Sequence, residues 1–85
     1  MFEQIRQSVA REARMKLGLG DIDPSANLFD LGLTPYSAVR LLLAVEREYG
    51  VEAPRERLTR AHTSTITAIA ETIAVACRTT ARHAA

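Results

Sequence analysis

The chain contains no tryptophan and only two phenylalanines and two tyrosines, although 47% of its 85 residues are hydrophobic. Its core must therefore consist of aliphatic side chains and alanine, a composition that favours a helical bundle over a β-sandwich. The single cysteine, Cys77, cannot form an intramolecular disulfide, and there is no cysteine cluster to bind zinc. These shortages exclude a small secreted fold that is held together by disulfides.

An excess of charge is also lacking, because eleven basic residues are balanced by ten acidic ones and the formal net charge is +1. So small a charge gives no reason to expect binding to nucleic acid or to an anionic membrane. The apolar run at 41–45 (LLLAV) is far too short to span a membrane, and the N-terminus has no apolar targeting core. We expect a cytoplasmic, monomeric protein with one domain over residues 1–85 and a frayed tail from about residue 79.

Apolar residues that recur every three or four positions predict three amphipathic helices, and no strand pattern competes with them. The first helix ends where two glycines can take the left-handed conformation that terminates helices. A short helical turn is predicted between the second and last helices. The predicted ranges are 2–16, 35–49, the short turn at 55–58, and a last helix that starts near Thr63 or Ser64.

A long connection, residues 21–33, separates the first two helices. It is rich in turn-forming residues, yet it is too apolar for a free linker. We expect it to be held on the core by five side chains: Ile22, Leu28, Phe29, Leu31 and Leu33.

The second helix has a strong start signal in Thr34 and Pro35. A threonine hydroxyl can accept hydrogen bonds from the first free amides, and proline is favoured at the first helical position. The inward face is predicted to carry Ala38, Val39, Leu41, Leu42, Val45 and Tyr49. The outward face is predicted to carry Ser37, Arg40, Arg47 and Glu48, with Tyr36 as its only apolar anchor.

The order of these parts, and several local stretches, resemble the acyl and peptidyl carrier proteins. The matching stretches are LFDLGL (28–33), SAVRLLLAVEREYG (37–50), VEAP (51–54), LTR (58–60) and STITAIA (64–70). The chain is similar, less specifically, to small stand-alone carriers that accept amino acids from truncated relatives of seryl-tRNA synthetase. The resemblance implies an all-α, right-handed four-helix bundle with three long helices, a short third helix and a long loop between helices one and two.

The resemblance also implies a function without catalysis. Carriers of this family hold an acyl or aminoacyl group as a thioester on a 4′-phosphopantetheine arm, and acyl- or aminoacyl-transferring enzymes or an adenylating ligase are their partners. The arm is attached to a serine in a Gly-x-Asp-Ser-Leu motif at the start of the second helix, where free amides and the helix dipole favour a phosphate. In this chain the motif falls on Gly32, Thr34, Pro35 and Tyr36, so proline occupies the serine position.

Three explanations for Pro35 remain open. The chain is a degenerate carrier that lacks the arm and acts by binding a partner; or Ser37, and less readily Thr34, carries the arm; or the proline was introduced into a working carrier. Proline would be tolerated at this first helical position. A hydroxyl at Ser37, in contrast, lies two residues further on and is rotated by about 200° around the helix axis.

The outward face of the second helix is the predicted partner-docking surface, with Thr34, Tyr36, Arg40 and Arg47 as its candidate residues. This helix is strongly acidic in many relatives, whereas here Arg40 and Arg47 are mixed with Glu46 and Glu48. The departure predicts a partner different from those that bind acidic carriers.

Two alternatives to a carrier, an enzyme and a helical adaptor, have little support in these residues. An enzyme would need a pair such as His62 with Thr59, Thr63 or Ser64, but no carboxylate stands at a recognisable spacing from His62, and the second histidine, His83, is in the tail. A helical adaptor would need an exposed apolar patch, and Tyr36 is the only apolar residue predicted on the outward face of the second helix. We therefore predict no catalytic residues and no metal ligands.

Overall fold

The computed structural model describes the backbone of residues 1–84 and the side chains of residues 1–79, and this part of the chain is helical without strands. Its elements are α1 (Phe2–Leu17), α2 (Pro35–Tyr49), a 3₁₀ helix (Arg55–Arg57) and α3 (Ile66–Ala84). The all-α prediction with three long helices and a short third one is confirmed. The tail predicted to fray lies mostly outside the residues whose side chains are described. Within the described residues, no helix combines the length and hydropathy that crossing a bilayer requires.

Helix α3 begins later than the predicted start near Thr63 or Ser64. The hydroxyl of Thr63 donates to the carbonyl of Thr59 at 2.9 Å, which ties it into the preceding turn. The hydroxyl of Thr65 instead accepts from the amide of Ala68 at 3.0 Å and caps the helix. The cap that the geometry selects is therefore the last of several consecutive hydroxyl residues.

The core lies between the three long helices and is aliphatic, as the shortage of aromatic residues predicts. Phe29 and Tyr49 pack against its edge, whereas Phe2 and Tyr36 are exposed. Burial of such side chains is the main source of stability for a domain of this size. The largest completely buried hydrophobic side chains are Ile5, Val9, Leu28, Leu41, Leu42, Val45, Ile66, Ile69 and Ile73.

The connection between α1 and α2 is held on the core, as predicted. Leu28 and Leu33 are buried, and Ile22 and Phe29 pack against the core as partly buried side chains. The amide of Leu28 also donates to the carbonyl of Ser64 at 2.7 Å, which ties the loop to the segment before α3. The prediction is wrong for Leu31, which is 42% exposed. The loop thus fixes the position at which α2 begins.

Gly32 is the one loop residue that needs the freedom of glycine, because its φ is +111°. Gly32 lies within a tight turn in which the amide of Leu33 donates to the carbonyl of Leu28 at 3.0 Å. The turn directs Leu33 into the core and leaves Thr34 at the surface.

At the other end of α2, Glu46 is buried, so the predicted mixing of Arg40 and Arg47 with exposed acids holds for Glu48 and not for Glu46. Its carboxylate accepts a hydrogen bond from the backbone amide of Ala53. The helix ends at Gly50, whose φ is +65°. Glu46 therefore holds the extended segment after α2 against the helix, which satisfies a carboxylate that would be costly to bury alone.

Candidate functional site

The start of α2 has the capping geometry that its sequence predicts. Thr34 has the extended backbone of an N-cap residue, with φ −91° and ψ 158°, and its hydroxyl accepts from the amide of Ser37 at 3.1 Å. Pro35 occupies the first helical turn, where a missing N–H costs no intrahelical hydrogen bond. The helix start is therefore satisfied by its own residues.

Pro35 is exposed but has no hydroxyl, so it offers no atom for a phosphodiester bond. The two neighbouring hydroxyls bond to each other: that of Thr34 donates to that of Ser37 at 3.0 Å. Ser37 is partly buried, which is less open than its predicted place on the solvent face. The residues present at this helix start thus do not fit a phosphopantetheine group attached at its first position.

Tyr36 and Arg40 project together from the exposed face of α2. The guanidinium of Arg40 donates to the hydroxyl of Tyr36 at 3.2 Å and lies 5.7 Å from the centre of its ring. This pair, one helical turn apart, combines a hydrogen bond with a cation–π contact. Both residues were predicted to bind a partner, and both are accessible for that purpose.

The outward face of α2 is more apolar than the sequence predicts. Val39, predicted to face inward, is 41% exposed, and Leu43 is 49% exposed. The physical reason is the helical period: the core side of α2 is filled by Ala38, Leu41, Leu42 and Val45, which turns Val39 and Leu43 to its outer edge. The prediction that Tyr36 is the only apolar anchor is therefore wrong.

Val39 and Leu43 continue into a larger surface together with Leu58, which follows the 3₁₀ helix and is 43% exposed. We call these three side chains the apolar ridge. They separate three shallow clefts, and each ridge residue lines two of them. The ridge also reaches the helix start, since Pro35 and Val39 line the same cleft, whose volume is about 120 Å³.

Five basic side chains line the same three clefts and form what we call the basic rim: Lys16, Arg40, Arg47, Arg55 and Arg60. The guanidinium of Arg60 lies 4.3 Å from the centre of the Phe29 ring, which holds it beside the helix start. Arg40 and Arg47 were predicted from their place on α2. The other three are brought there by different segments, so helical spacing alone could not identify them.

Of the residues considered for a catalytic pair, Thr59 and His62 lie within hydrogen-bond distance of each other in the structure. The hydroxyl of Thr59 and Nδ1 of His62 are 2.8 Å apart, at the surface of the segment before α3. The same hydroxyl accepts weakly from the amide of His62 at 3.4 Å, which is the bonding of a local turn. In the part of the chain that the structure describes, no group of three or more His, Cys, Asp or Glu side chains could hold a metal ion. Cys77 packs against the core as a partly buried side chain.

The sequence of this chain matches the model of a known protein family. A family model described as "Phosphopantetheine attachment site" matches residues 3–73, which is most of the chain. The chain belongs to this carrier family. The carrier domain is therefore non-enzymatic, in agreement with the prediction made from its residues.

A curated relative is similar to this chain in sequence, and a solved structure is similar to it in fold. The carrier domain is 29% identical over 73 residues to an aminoacyl carrier protein of Agrobacterium fabrum, which covers 86% of this chain and 88% of that protein. It also superimposes on a chain in the crystal structure of Bradyrhizobium japonicum glycine:[carrier protein] ligase complexed with its cognate carrier protein and an analogue of glycyl adenylate. That match has a TM-score of 0.65 and 23% identity, and it covers 87% of this chain and 95% of that one. The predicted carrier fold is thus confirmed.

Proposed function

We propose that this carrier domain acts by docking to a partner in acyl or aminoacyl transfer and that it carries no phosphopantetheine arm. The observation that carries the proposal is the proline at the first position of α2, where the family resemblance expects the attachment serine. A transferase that forms a phosphodiester needs a hydroxyl, and Pro35 has none. The group expected for the family is therefore absent from this domain.

The neighbouring hydroxyls support the same proposal. Thr34 is occupied as the helix cap, and its proton is directed to the oxygen of Ser37. Use of either hydroxyl as an attachment point would disturb the hydrogen bonds that satisfy the first turn of α2. Ser37 would in addition have to emerge from a partly buried position.

The proposed partner is an adenylating ligase or another acyl- or aminoacyl-transferring enzyme. Two observations support this class: the similarity to an aminoacyl carrier protein, and the likeness of fold to a chain from a ligase–carrier complex. The exposed face of α2 supplies accessible side chains for the contact, among them Tyr36, Arg40 and Arg47. We propose that the domain docks as a monomer in the cytoplasm.

Intact-mass spectrometry after incubation with coenzyme A and a broad-specificity phosphopantetheinyl transferase tests the missing arm. We expect no mass gain for the natural sequence and a gain of one phosphopantetheine group for Pro35→Ser, because that variant restores a hydroxyl to the first position of an accessible helix start. The Pro35→Ser variant thus also serves as the positive control for the transferase.

Ser37→Ala is the matched variant for the alternative attachment site. A mass gain on the natural sequence that disappears in Ser37→Ala would show that Ser37 carries the arm and would refute the proposal. Thr34→Val is the variant that removes the other hydroxyl, because Thr34→Ser would retain one. A mass gain that disappears in Thr34→Val would show that Thr34 carries the arm and would also refute the proposal.

A further inference from the structure

We infer that the apolar ridge and the basic rim together bind an acidic protein surface that presents apolar side chains. The inference rests on the proposed docking function and names the chemistry of the partner. It concerns the surface built from Val39, Leu43 and Leu58 with the five cations around them.

The shape of this surface favours a protein partner. The three ridge residues are exposed although they are large and apolar, and the clefts beside them have volumes of about 400, 120 and 500 Å³. A ridge between clefts is suited to interlock with side chains of a second protein, because buried apolar anchors in pockets provide much of the binding energy of an interface. A flat contact with lipid would leave these clefts unfilled.

The charge of this surface predicts the sign of the charge on the partner. Beside the five cations, the clefts are lined by only two acids, Glu46 and Glu52, among the described residues. The carboxylate of Glu46 is buried and bonded to the backbone of Ala53, which leaves Glu52 as the exposed acid. The rim is therefore basic on a domain whose overall net charge is only +1, and complementary charge on a partner would guide association and orientation.

The rim cations are also available for a partner. Within the described residues, the ion pairs are Arg6 with Glu3 and Arg11 with Glu48, and neither includes a rim residue. Arg40 and Arg60 are instead held against the rings of Tyr36 and Phe29, which keeps their positive charges in place without neutralising them. Positioned charges lose less conformational freedom when they bind.

A second copy of the chain would not satisfy this surface. In a symmetric dimer the same patch faces itself, so the five cations of one copy would face those of the other. Like charges across an interface are unfavourable, and the single exposed acid in the clefts cannot balance them. The complementary occupant is an acidic surface.

The experiment is an NMR titration of the ¹⁵N-labelled domain with two designed helical peptides that share the same leucine positions. One peptide has glutamates at its remaining positions and the other has lysines. We expect the acidic peptide to shift resonances of α2 and of the residues around Leu58, and to bind at least tenfold more tightly than the basic one.

Two sets of variants locate the contact. Arg40→Glu combined with Arg47→Glu is expected to weaken the acidic peptide at least tenfold, and Leu43→Ser is expected to weaken it as well. The matched controls, Arg78→Glu and Phe2→Ser, change an exposed arginine and an exposed apolar residue in a separate cleft and are expected to leave affinity unchanged. Circular dichroism verifies that all four variants remain helical.

Several results would overturn the inference: absence of binding, equal affinity for the two peptides, or equal weakening by the control variants. Concentration-dependent dimerisation that Leu43→Ser abolishes would assign the surface to a second copy. Binding to phosphatidylglycerol vesicles in place of the acidic peptide would assign it to a membrane. None of these results depends on the phosphopantetheine arm, so failure here is distinguishable from a mass gain that refutes the proposed function.

Discussion

The Thr34–Pro35 helix start is expected to stabilise the fold, and replacing either residue tests this directly. Thr34→Ala removes the hydroxyl that accepts from the amide of Ser37 at 3.1 Å and that donates to its side chain at 3.0 Å. Pro35→Ser restores the residue that the family motif has at this position but releases the backbone constraint of proline. Both changes are at exposed positions, so no core contact is altered.

The expected magnitudes follow from these contacts. Loss of an N-cap hydroxyl costs about 1 kcal/mol of unfolding free energy. Loss of a proline whose native conformation is already helical costs about 0.4–1 kcal/mol, chiefly because the unfolded chain gains freedom. For a domain of this length, about 1 kcal/mol corresponds to a fall in Tm of roughly 4–8 °C.

Thermal and urea unfolding followed by circular dichroism measures both changes. Thr34→Ser keeps a capping hydroxyl and is the matched control, which we expect to stay close to the natural sequence in stability. An unchanged Tm for Thr34→Ala, or a higher Tm for Pro35→Ser, would refute the reasoning that this helix start is built for stability.

Three further outcomes are expected in urea unfolding. Glu46→Ala is expected to lower the unfolding free energy by about 1.5–3 kcal/mol, because the backbone amide of Ala53 then loses the carboxylate to which it donates. An unchanged urea midpoint would contradict this. Thr72→Val is expected to raise the unfolding free energy by about 1 kcal/mol, since the hydroxyl of Thr72 is buried and has no hydrogen-bond partner among the described residues; a loss of stability would reveal a partner for that hydroxyl. The Ser8 hydroxyl and then the Arg11 guanidinium lower the pKa of Glu48 below its ordinary 4.5. The stability that ionised Glu48 contributes is therefore present above that pH and is lost as the pH falls below it. Glu48→Gln should reduce this loss of stability in acid, and an unaltered pH profile of the unfolding free energy would contradict the assignment.

The helices and the core could be predicted from the sequence because their signals are local. The period of apolar residues, the Thr–Pro start and the glycines at Gly18 and Gly50 determine where α1 and α2 lie. The start of the last helix has no such unique signal, because several hydroxyl residues precede it and each could cap a helix. The structure identifies Thr65 as the cap, since its hydroxyl accepts from the amide of Ala68.

The candidate site was predicted in part for the same physical reason. Thr34, Pro35, Tyr36, Arg40 and Arg47 belong to one helix, so its periodicity places them on accessible positions. The α2 part of the apolar ridge, Val39 and Leu43, could have been suspected, since both residues follow Tyr36 at helical spacing beside the core stripe. The exposure of Val39 follows from that period once Ala38, Leu41, Leu42 and Val45 fill the core side of α2. The burial of Glu46, however, depends on the extended segment that bonds to its carboxylate, and periodicity does not contain that information.

The intact mass of the protein isolated from its natural host tests the central claim most directly, because the host supplies its own transferase. The account predicts the mass of the unmodified chain, with Pro35 in place and no group attached. A mass that includes one phosphopantetheine, located by fragmentation on Ser37 or on Thr34, would contradict it.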